Sequence, residues 1–272
     1  MTRLTHEVDD TRSAAPAKSN EERYFITALS RGLEVLACFG SGDKALSNQQ
    51  IAKRCQLPKS TVTRITFTLT KLGYLIQLEN DGKYAIGSAT LALGSSTLAR
   101  MDIRQLARPL MQELADFSNA TVALGVRDRL SMIYIDVCHS SAMVALTMQV
   151  GSRMPLATSA MGRAFLATAS EQERDDILSC WQELDEAARA SLRQGVEKGL
   201  EDYRKFGCAT SFGEWQRDVN GIAVGVHAGA GTPAMAINCG GPSSSVSQEF
   251  LLTEVKPRLI ALAARLASSA VI

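Results

Sequence analysis

The stretch Ser47–Leu72, SNQQIAKRCQLPKSTVTRITFTLTKL, constrains the fold more than any other part of the chain. Ser47 followed three residues later by Gln50 is the reciprocal pair of a helix capping box. The spacing predicts a helix over Asn48–Cys55 with Ile51, Ala52 and Cys55 inward, then a turn at Gln56-Leu57-Pro58. Pro58 suits the start of a second helix, residues 59–72, whose Val62, Ile65, Leu69 and Leu72 share one face. Helices this short are marginal alone and need flanking segments to complete a core. Tyr24–Phe39 supplies a preceding helix, with apolar residues at 25, 26, 29, 33, 36 and 39. Gly73 suits a left-handed helix cap. Tyr74–Leu78 and Lys83–Ile86 then flank Glu79-Asn80-Asp81-Gly82, and Asp-Gly between two β-prone runs is a hairpin signal. The head expected from this pattern, residues 23–87, is a winged helix-turn-helix, preceded by a disordered tail of residues 1–22.

The polar residues of this head have the chemistry of a phosphate and base reader. Lys59, Ser60 and Thr61 occupy the first turn of the second helix, where backbone amides are also free to donate to phosphate. Thr63 and Arg64 follow on that helix, and an arginine there reaches guanine N7/O6 or a phosphate. Ser47, Asn48 and Gln49 open the first helix, while Asn80 and Lys83 sit on the wing, suited to a neighbouring backbone or minor groove. Between Arg23 and Gly87 nine Lys/Arg stand against four Asp/Glu, a net +5, whereas residues 88–272 are net −2. A basic head on a mildly acidic body fits double-stranded DNA as partner. A helix-turn-helix used only for protein packing is the alternative.

The remaining residues change character. Ser88–Met101 has the spacing of a linker helix, residues 88–103 forming the connection, and Arg104–Phe117 that of a further helix in which Pro109 calls for a break or an early turn. From Thr121 the period becomes two: Val122, Leu124 and Val126 alternate, and Met132–Val137, Ala142–Val150, Cys208–Phe212, Gly221–Ala228 and Ala234–Asn238 read as strands. Ser159–Ala167, Glu171–Ser179, Ala187–Phe206 and Ser245–Ser268 read as helices. Strands flanked by helices make residues 104–272 an α+β domain of sensor type.

Apolar content of 46% supports real cores, yet no run approaches the length of a membrane span, and the N-terminus lacks a secretory apolar run. With no C-x-x-C pair among the six cysteines, reduced and mostly buried thiols in the cytoplasm are expected, with neither metal nor cofactor. No G-x-S-x-G, P-loop or H-E-x-x-H occurs. Two constellations in the second half are chemically suggestive. Residues 150–164, VGSRMPLATSAMGRA, bring a glycine turn to the N-terminus of a helix, where free amides favour a small carboxylate; a capped core helix packed closely at Gly162 is the alternative. Residues 236–242, AINCGGP, end a strand in a glycine turn, with Asn238 able to hydrogen-bond a ligand and Cys239 a buried thiol. Glu214–Asp218 is a polar loop with one aromatic, either a lid or an ordinary surface loop.

Together these segments resemble the IclR family of bacterial transcriptional regulators. The resemblance is carried by RGLEVLACF at 31–39, LSNQQIAKRCQLPKSTVTRITFTLTKLGYL at 46–75, KYAIGSATLALG at 83–94, GSRMPLATSAMGRAFLA at 151–167, GIAVGV at 221–226 and INCGGP at 237–242. It implies an N-terminal winged helix-turn-helix, a linker helix and a C-terminal GAF-like effector-binding domain, assembled as a homodimer or homotetramer. It also implies a small organic acid as effector. Carried onto this chain, Ala160 and Met161 would supply backbone donors, Ser211, Asn238 and Gly240 the polar wall, and Met143, Leu146 and Met154 the apolar wall. The SRMPLATSAMGR form is most similar to members that control aromatic-acid catabolism. Gly225 stands where the family often has proline, and Asn238 and Gly240 where relatives carry serines. The function expected is a ligand-responsive DNA-binding regulator of a catabolic operon; an enzyme with an incidental basic head and a ligand-free DNA-binding scaffold are the alternatives.

Overall fold

The computed structural model describes residues 24–40, 42–79, 81–99, 101–141, 148–179, 185–227 and 234–269. The expected tail 1–22, Asn80, Met143 and Leu146 lie outside the described residues, as does most of the strand expected at 142–150. The chain forms two compact units that divide between Leu93 and Gly94.

In the first unit, α1 (Thr27–Ala37), α2 (Asn48–Cys55) and α3 (Lys59–Lys71) precede a hairpin of β1 (Leu75–Gln77) and β2 (Tyr84–Ile86). Ser47 caps α2 as the sequence predicts: its hydroxyl accepts from the Gln50 amide at 3.3 Å, and its own amide donates to Gln50 Oε1 at 2.8 Å. Gln56 ends α2 in the left-handed conformation. Gly73, with φ +76°, closes α3, so that the Tyr74 amide returns to the Leu69 carbonyl at 2.9 Å. Leu46 bonds to Tyr84 in both directions at 2.8 Å and so docks the wing on the segment before α2. The core is Val35, Leu46, Ile51, Val62, Leu69, Leu75 and Tyr84.

The expected apolar faces are not all buried: along the expected first helix Phe25, Ile26, Leu29 and Leu33 are 58–65% exposed. Leu72 is 60% exposed, and Thr66 is fully buried. Leu72 lies at the outer edge of the stripe, while position 66 falls at its centre. Burying the Thr66 hydroxyl is tolerated because it donates to the Val62 carbonyl at 3.0 Å and meets Asn48 Oδ1 at 3.2 Å.

Helix α4 (Ser88–Ala99) carries the chain across the division and buries none of its residues. In the second unit, α5 (Ile103–Ser118) runs unbroken through Pro109. The expected break is absent because Pro109 is exposed, which leaves the carbonyl it frees within reach of water. Six antiparallel strands follow: β3 (Thr121–Asp128), β4 (Ser131–His139), β5 (Arg153–Pro155), β6 (Ala209–Phe212), β7 (Val219–Val226) and β8 (Met235–Pro242), in the spatial order β5-β4-β3-β8-β7-β6. Helices α6 (Ala160–Thr168), α7 (Glu171–Ser179) and α8 (Glu186–Phe206) lie between β5 and β6 in sequence. α9 (Gln248–Phe250), a π-helical turn (Leu251–Val255) and α10 (Lys256–Ser269) close the unit.

The alternation read at Val122, Leu124 and Val126 marks one face of a strand that is buried on both. Large residues (Val122, Leu124, Ile222, Ile237) pack with α5 and α10, and small ones (Ala123, Ala209, Ala223, Ala236) pack with α6 and α8. The small face lets α6 lie close on the sheet. A Cβ at Gly162 would sit 2.2 Å from the Leu156 carbonyl oxygen. On β7 the Gly225 amide donates to the half-buried Tyr203 hydroxyl at 2.6 Å, and a Cβ there would meet Thr168 Oγ1 at 2.2 Å. Proline at 225 would remove that donor and collide with Thr168, which accounts for glycine at this position.

Candidate DNA-binding surface and effector cavity

On the first unit the structure arranges the polar residues along α2 and α3. Gln49, Lys59, Ser60, Thr63 and Arg64 are exposed; Ser47, Asn48 and Thr61 are half-buried. Ser60, Thr63 and Arg64 fall on one stripe of α3. Neither Lys59 nor Arg64 has an acidic partner among the described residues, so both cations are available to an anion. Thr61 looks to the other side, where it joins Arg64 in rimming an apolar groove of about 590 Å³ between α1 and α3.

Asn48 is turned inward. Its Nδ2 donates to Thr63 Oγ1 at 3.4 Å and its Oδ1 accepts from Thr66, so its amide sets the angle between α2 and α3. Lys83 pairs with Asp81 at 2.6 Å, and the ammonium beside it holds the Asp81 carboxyl below its usual range. Arg54 is occupied too: it pairs with Asp43, whose carboxyl it draws down to about 2, and donates to the Cys38 carbonyl at 2.9 Å. Phe67 continues the exposed stripe of α3 at 62% exposure, with Lys71 Nζ 5.7 Å from its ring centroid. The sequence signal for Phe67 is a phenylalanine opposite the apolar stripe of a short helix.

In the second unit Met154, Ala160, Met161, Ser211, Asn238 and Gly240 come together around one cavity, joined by Tyr134, Ser159, Trp215, Val219, Asn220 and Gly221. These are all of the expected ligand residues that the structure describes. Ser159 caps α6, accepting from the Gly162 amide at 3.0 Å and donating to the Pro155 carbonyl at 2.6 Å. The Ala160 and Met161 amides, in the first turn of α6, have no intrahelical acceptor. Ser211 donates to the Thr158 carbonyl at 2.7 Å, tying β6 to the segment before α6.

Across the cavity Asn238 Nδ2 donates to the Tyr134 hydroxyl at 3.2 Å, while Asn238 Oδ1 is buried with no partner among the described residues. Burial pushes the Tyr134 phenol up to about 12, the Asn238 bond acting weakly the other way, so it stays protonated. Cys239, next in β8, points to the opposite face, where burial lifts its thiol to about 11 and it donates to Ser118 Oγ. Among the described residues no cationic side chain lines the cavity. An anion there would depend on the helix amides and dipole.

The cavity measures only about 20 Å³. That is room for roughly one water, against about 300–1,000 Å³ for drug-sized ligand sites. Arg163, one turn into α6, is 4% exposed, and no motif in the sequence gives it a role. Its Nε donates to the Ala157 carbonyl at 2.8 Å, one terminal nitrogen to the Thr210 carbonyl at 2.9 Å and the other to Glu214 at 2.6 Å. A lone arginine amid small apolar helix residues was the available signal.

Comparison with known proteins accounts for both units. The IclR helix-turn-helix domain matches residues 28–79, and the bacterial transcriptional regulator IclR C-terminal domain matches residues 95–268. The chain belongs to the IclR family. It is 33% identical to the HTH-type transcriptional regulator TsaQ1/TsaQ2 of Comamonas testosteroni, over 86% of this chain and 84% of that protein. An IclR family transcriptional regulator from Brucella abortus superposes with a TM-score of 0.82 at 42% identity, covering 94% of this chain and 96% of that one. The fold is shared by an IclR homolog from Microbacterium hydrocarbonoxydans crystallised with 4-hydroxybenzoate, with a TM-score of 0.67 at 23% identity over 89% and 98% of the two chains. The chain is thus a bacterial transcriptional regulator with a DNA-binding helix-turn-helix, and its relatives are named as regulators rather than enzymes. Among the described residues no helix is long and apolar enough to cross a membrane.

Proposed function

We propose that this IclR-family chain is an effector-gated regulator of a catabolic operon, acting in the cytoplasm, with a head of residues 23–87, a linker of 88–103 and an effector and oligomerisation domain of 104–272. In this reading α3 enters the major groove. Lys59, Ser60 and the first amides of α3 hold phosphate, Thr63 and Arg64 reach base edges, and Phe67 offers an apolar contact for a thymine methyl. Ser47 and Gln49 meet the backbone, Asn48 positions α3, and Asn80 and Lys83 on the wing lie along the flanking DNA. The exposed apolar residues of α1, Leu29 and Leu33, and the groove they share with Leu72 support a homodimer through the heads, with tetramers built on it. A dimer places two recognition helices on a pseudo-palindrome.

The effector is a small aromatic acid. The observation that carries this is that Ala160 and Met161, at the start of α6, line one cavity with Asn238, whose Oδ1 is buried with no partner among the described residues. A carboxylate suits the helix start, and a ring hydroxyl suits Asn238 and Tyr134. Met154, Met161 and Trp215 offer polarizable walls for the ring. The homolog holding 4-hydroxybenzoate carries a ligand of that chemistry. Met143 and Leu146, outside the described residues, are the positions that the family resemblance assigns to the apolar side.

A thermal-unfolding panel of aromatic and aliphatic acids tests this. An acid at 100 times its dissociation constant adds ~2.7 kcal/mol of stability, and hydroxylated benzoates are expected to lead the panel. A panel in which no acid raises the midpoint would leave a ligand-free DNA-binding scaffold.

A further inference from the structure

A cavity with room for one water admits an acid only if part of its wall moves. Most of the wall is held by ladders: β4, β7 and β8 are paired along their lengths, and α6 is fixed by the Ser159 cap and by Arg163. Among the described residues the exception is the segment 213–218 between β6 and β7, which carries Trp215 against the cavity. Its two ends are fastened together, the Gly213 amide donating to the Val219 carbonyl at 2.9 Å, and the Ser243 amide secures its far end at the Asp218 carbonyl at 2.9 Å. Glu214, Gln216, Arg217 and Asp218 are exposed. Between those ends, among the described residues, the side-chain polar ties to the body are Glu214's pairs with Arg163 at 2.6 Å and Lys198 at 3.8 Å, beside the packing of Trp215 on the core.

Arg163 cannot follow a moving loop, because its other two donors are committed to the Ala157 and Thr210 carbonyls. It also sits one turn into the helix whose first residues, Ala160 and Met161, line the cavity.

We infer that residues 213–218 form a lid closed by Trp215 and latched by the Arg163–Glu214 ion pair, so that breaking the latch opens the cavity. This rests on reading the cavity as the effector site. A ligand seated at the start of α6 acts on the same helix that holds the latch, so occupancy and lid position are coupled through Arg163. Glu214 is a positioning residue for that response.

The test uses the full chain without ligand. Trp181 and Trp215 are its two tryptophans, so Trp181→Phe leaves the lid residue as the sole reporter. In that background Glu214→Ala is expected to raise acrylamide quenching of Trp215 by about twofold or more, as local opening exposes the ring. Glu214→Gln keeps an acceptor without the charge and falls between. Arg217→Ala, on the same loop but outside the latch, stays at the parent value. Far-ultraviolet circular dichroism and a cooperative melt confirm that each variant is folded. Equal quenching in the parent and Glu214→Ala overturns the latch, as does an equal rise in Arg217→Ala. An acid panel that stabilises nothing refutes the effector reading separately, because the quenching is read with no acid present.

Discussion

Gly162→Ala is expected to destabilise the second unit by at least about 2 kcal/mol, although alanine is intrinsically worth roughly 1 kcal/mol more than glycine inside a helix. The added methyl would lie 2.2 Å from the Leu156 carbonyl oxygen and 2.4 Å from the Leu156 Cα. Those are backbone atoms, with no rotamer to absorb the clash. The segment from Leu156 to Ser159 must shift, and with it the cap on which the Ala160 and Met161 amides depend. The variant should therefore melt early and lose acid binding together. Gly94→Ala is the internal comparison: it also lies within a helix, but its Cβ meets nothing within 4 Å, so it is expected to hold or raise stability. Urea denaturation of both checks the pair. A Gly162→Ala chain as stable as the parent would mean that α6 does not pack as described.

Arg163→Met should cost about 3–6 kcal/mol, roughly 1.5–3 for each of the two buried hydrogen bonds its charged donors make. Most of the loss comes from what is left behind. The Ala157 and Thr210 carbonyls each lose a charged donor in a site closed to water. Glu214 loses less, being about one-third exposed and within 3.8 Å of Lys198. Arg163→Lys is expected to recover little, because an ammonium cannot serve three acceptors spread around a planar guanidinium. Denaturant midpoints rank the three chains. A lysine variant matching the parent would show that charge alone, not the three-way fork, holds the site.

The first unit was legible because its signals are local. The Ser47–Gln50 box, the Gly73 cap and the Asp81-Gly82 turn each act within a few residues, and each specifies a backbone geometry. Leu72 was misread because a helical stripe has edges that spacing alone does not resolve. In the second unit strand existence was legible, but the role of the second face was not: Ala123, Ala209, Ala223 and Ala236 carry no periodic signal, yet they let α6 approach the sheet. The cavity residues were named through family resemblance. Residue chemistry alone left an anion site and a capped core helix equally open at Ala160. Arg163 and Glu214 meet across 51 positions of sequence, and Asn238 and Tyr134 across 104, so neither pair has a local signature.

The central claim is that an acid bound beside α6 changes how the head holds DNA. Its most direct test is a fluorescence-anisotropy titration of the chain on promoter DNA flanking its own gene, at fixed salt, with and without the best stabilising acid. Operator affinity is predicted to change 5–150-fold, the ~1–3 kcal/mol typical of coupled sites. An Arg64→Ala chain should bind more weakly in both conditions, by about 1–3 kcal/mol if the arginine reads a guanine. Identical operator affinity in the presence and absence of saturating acid would contradict the account.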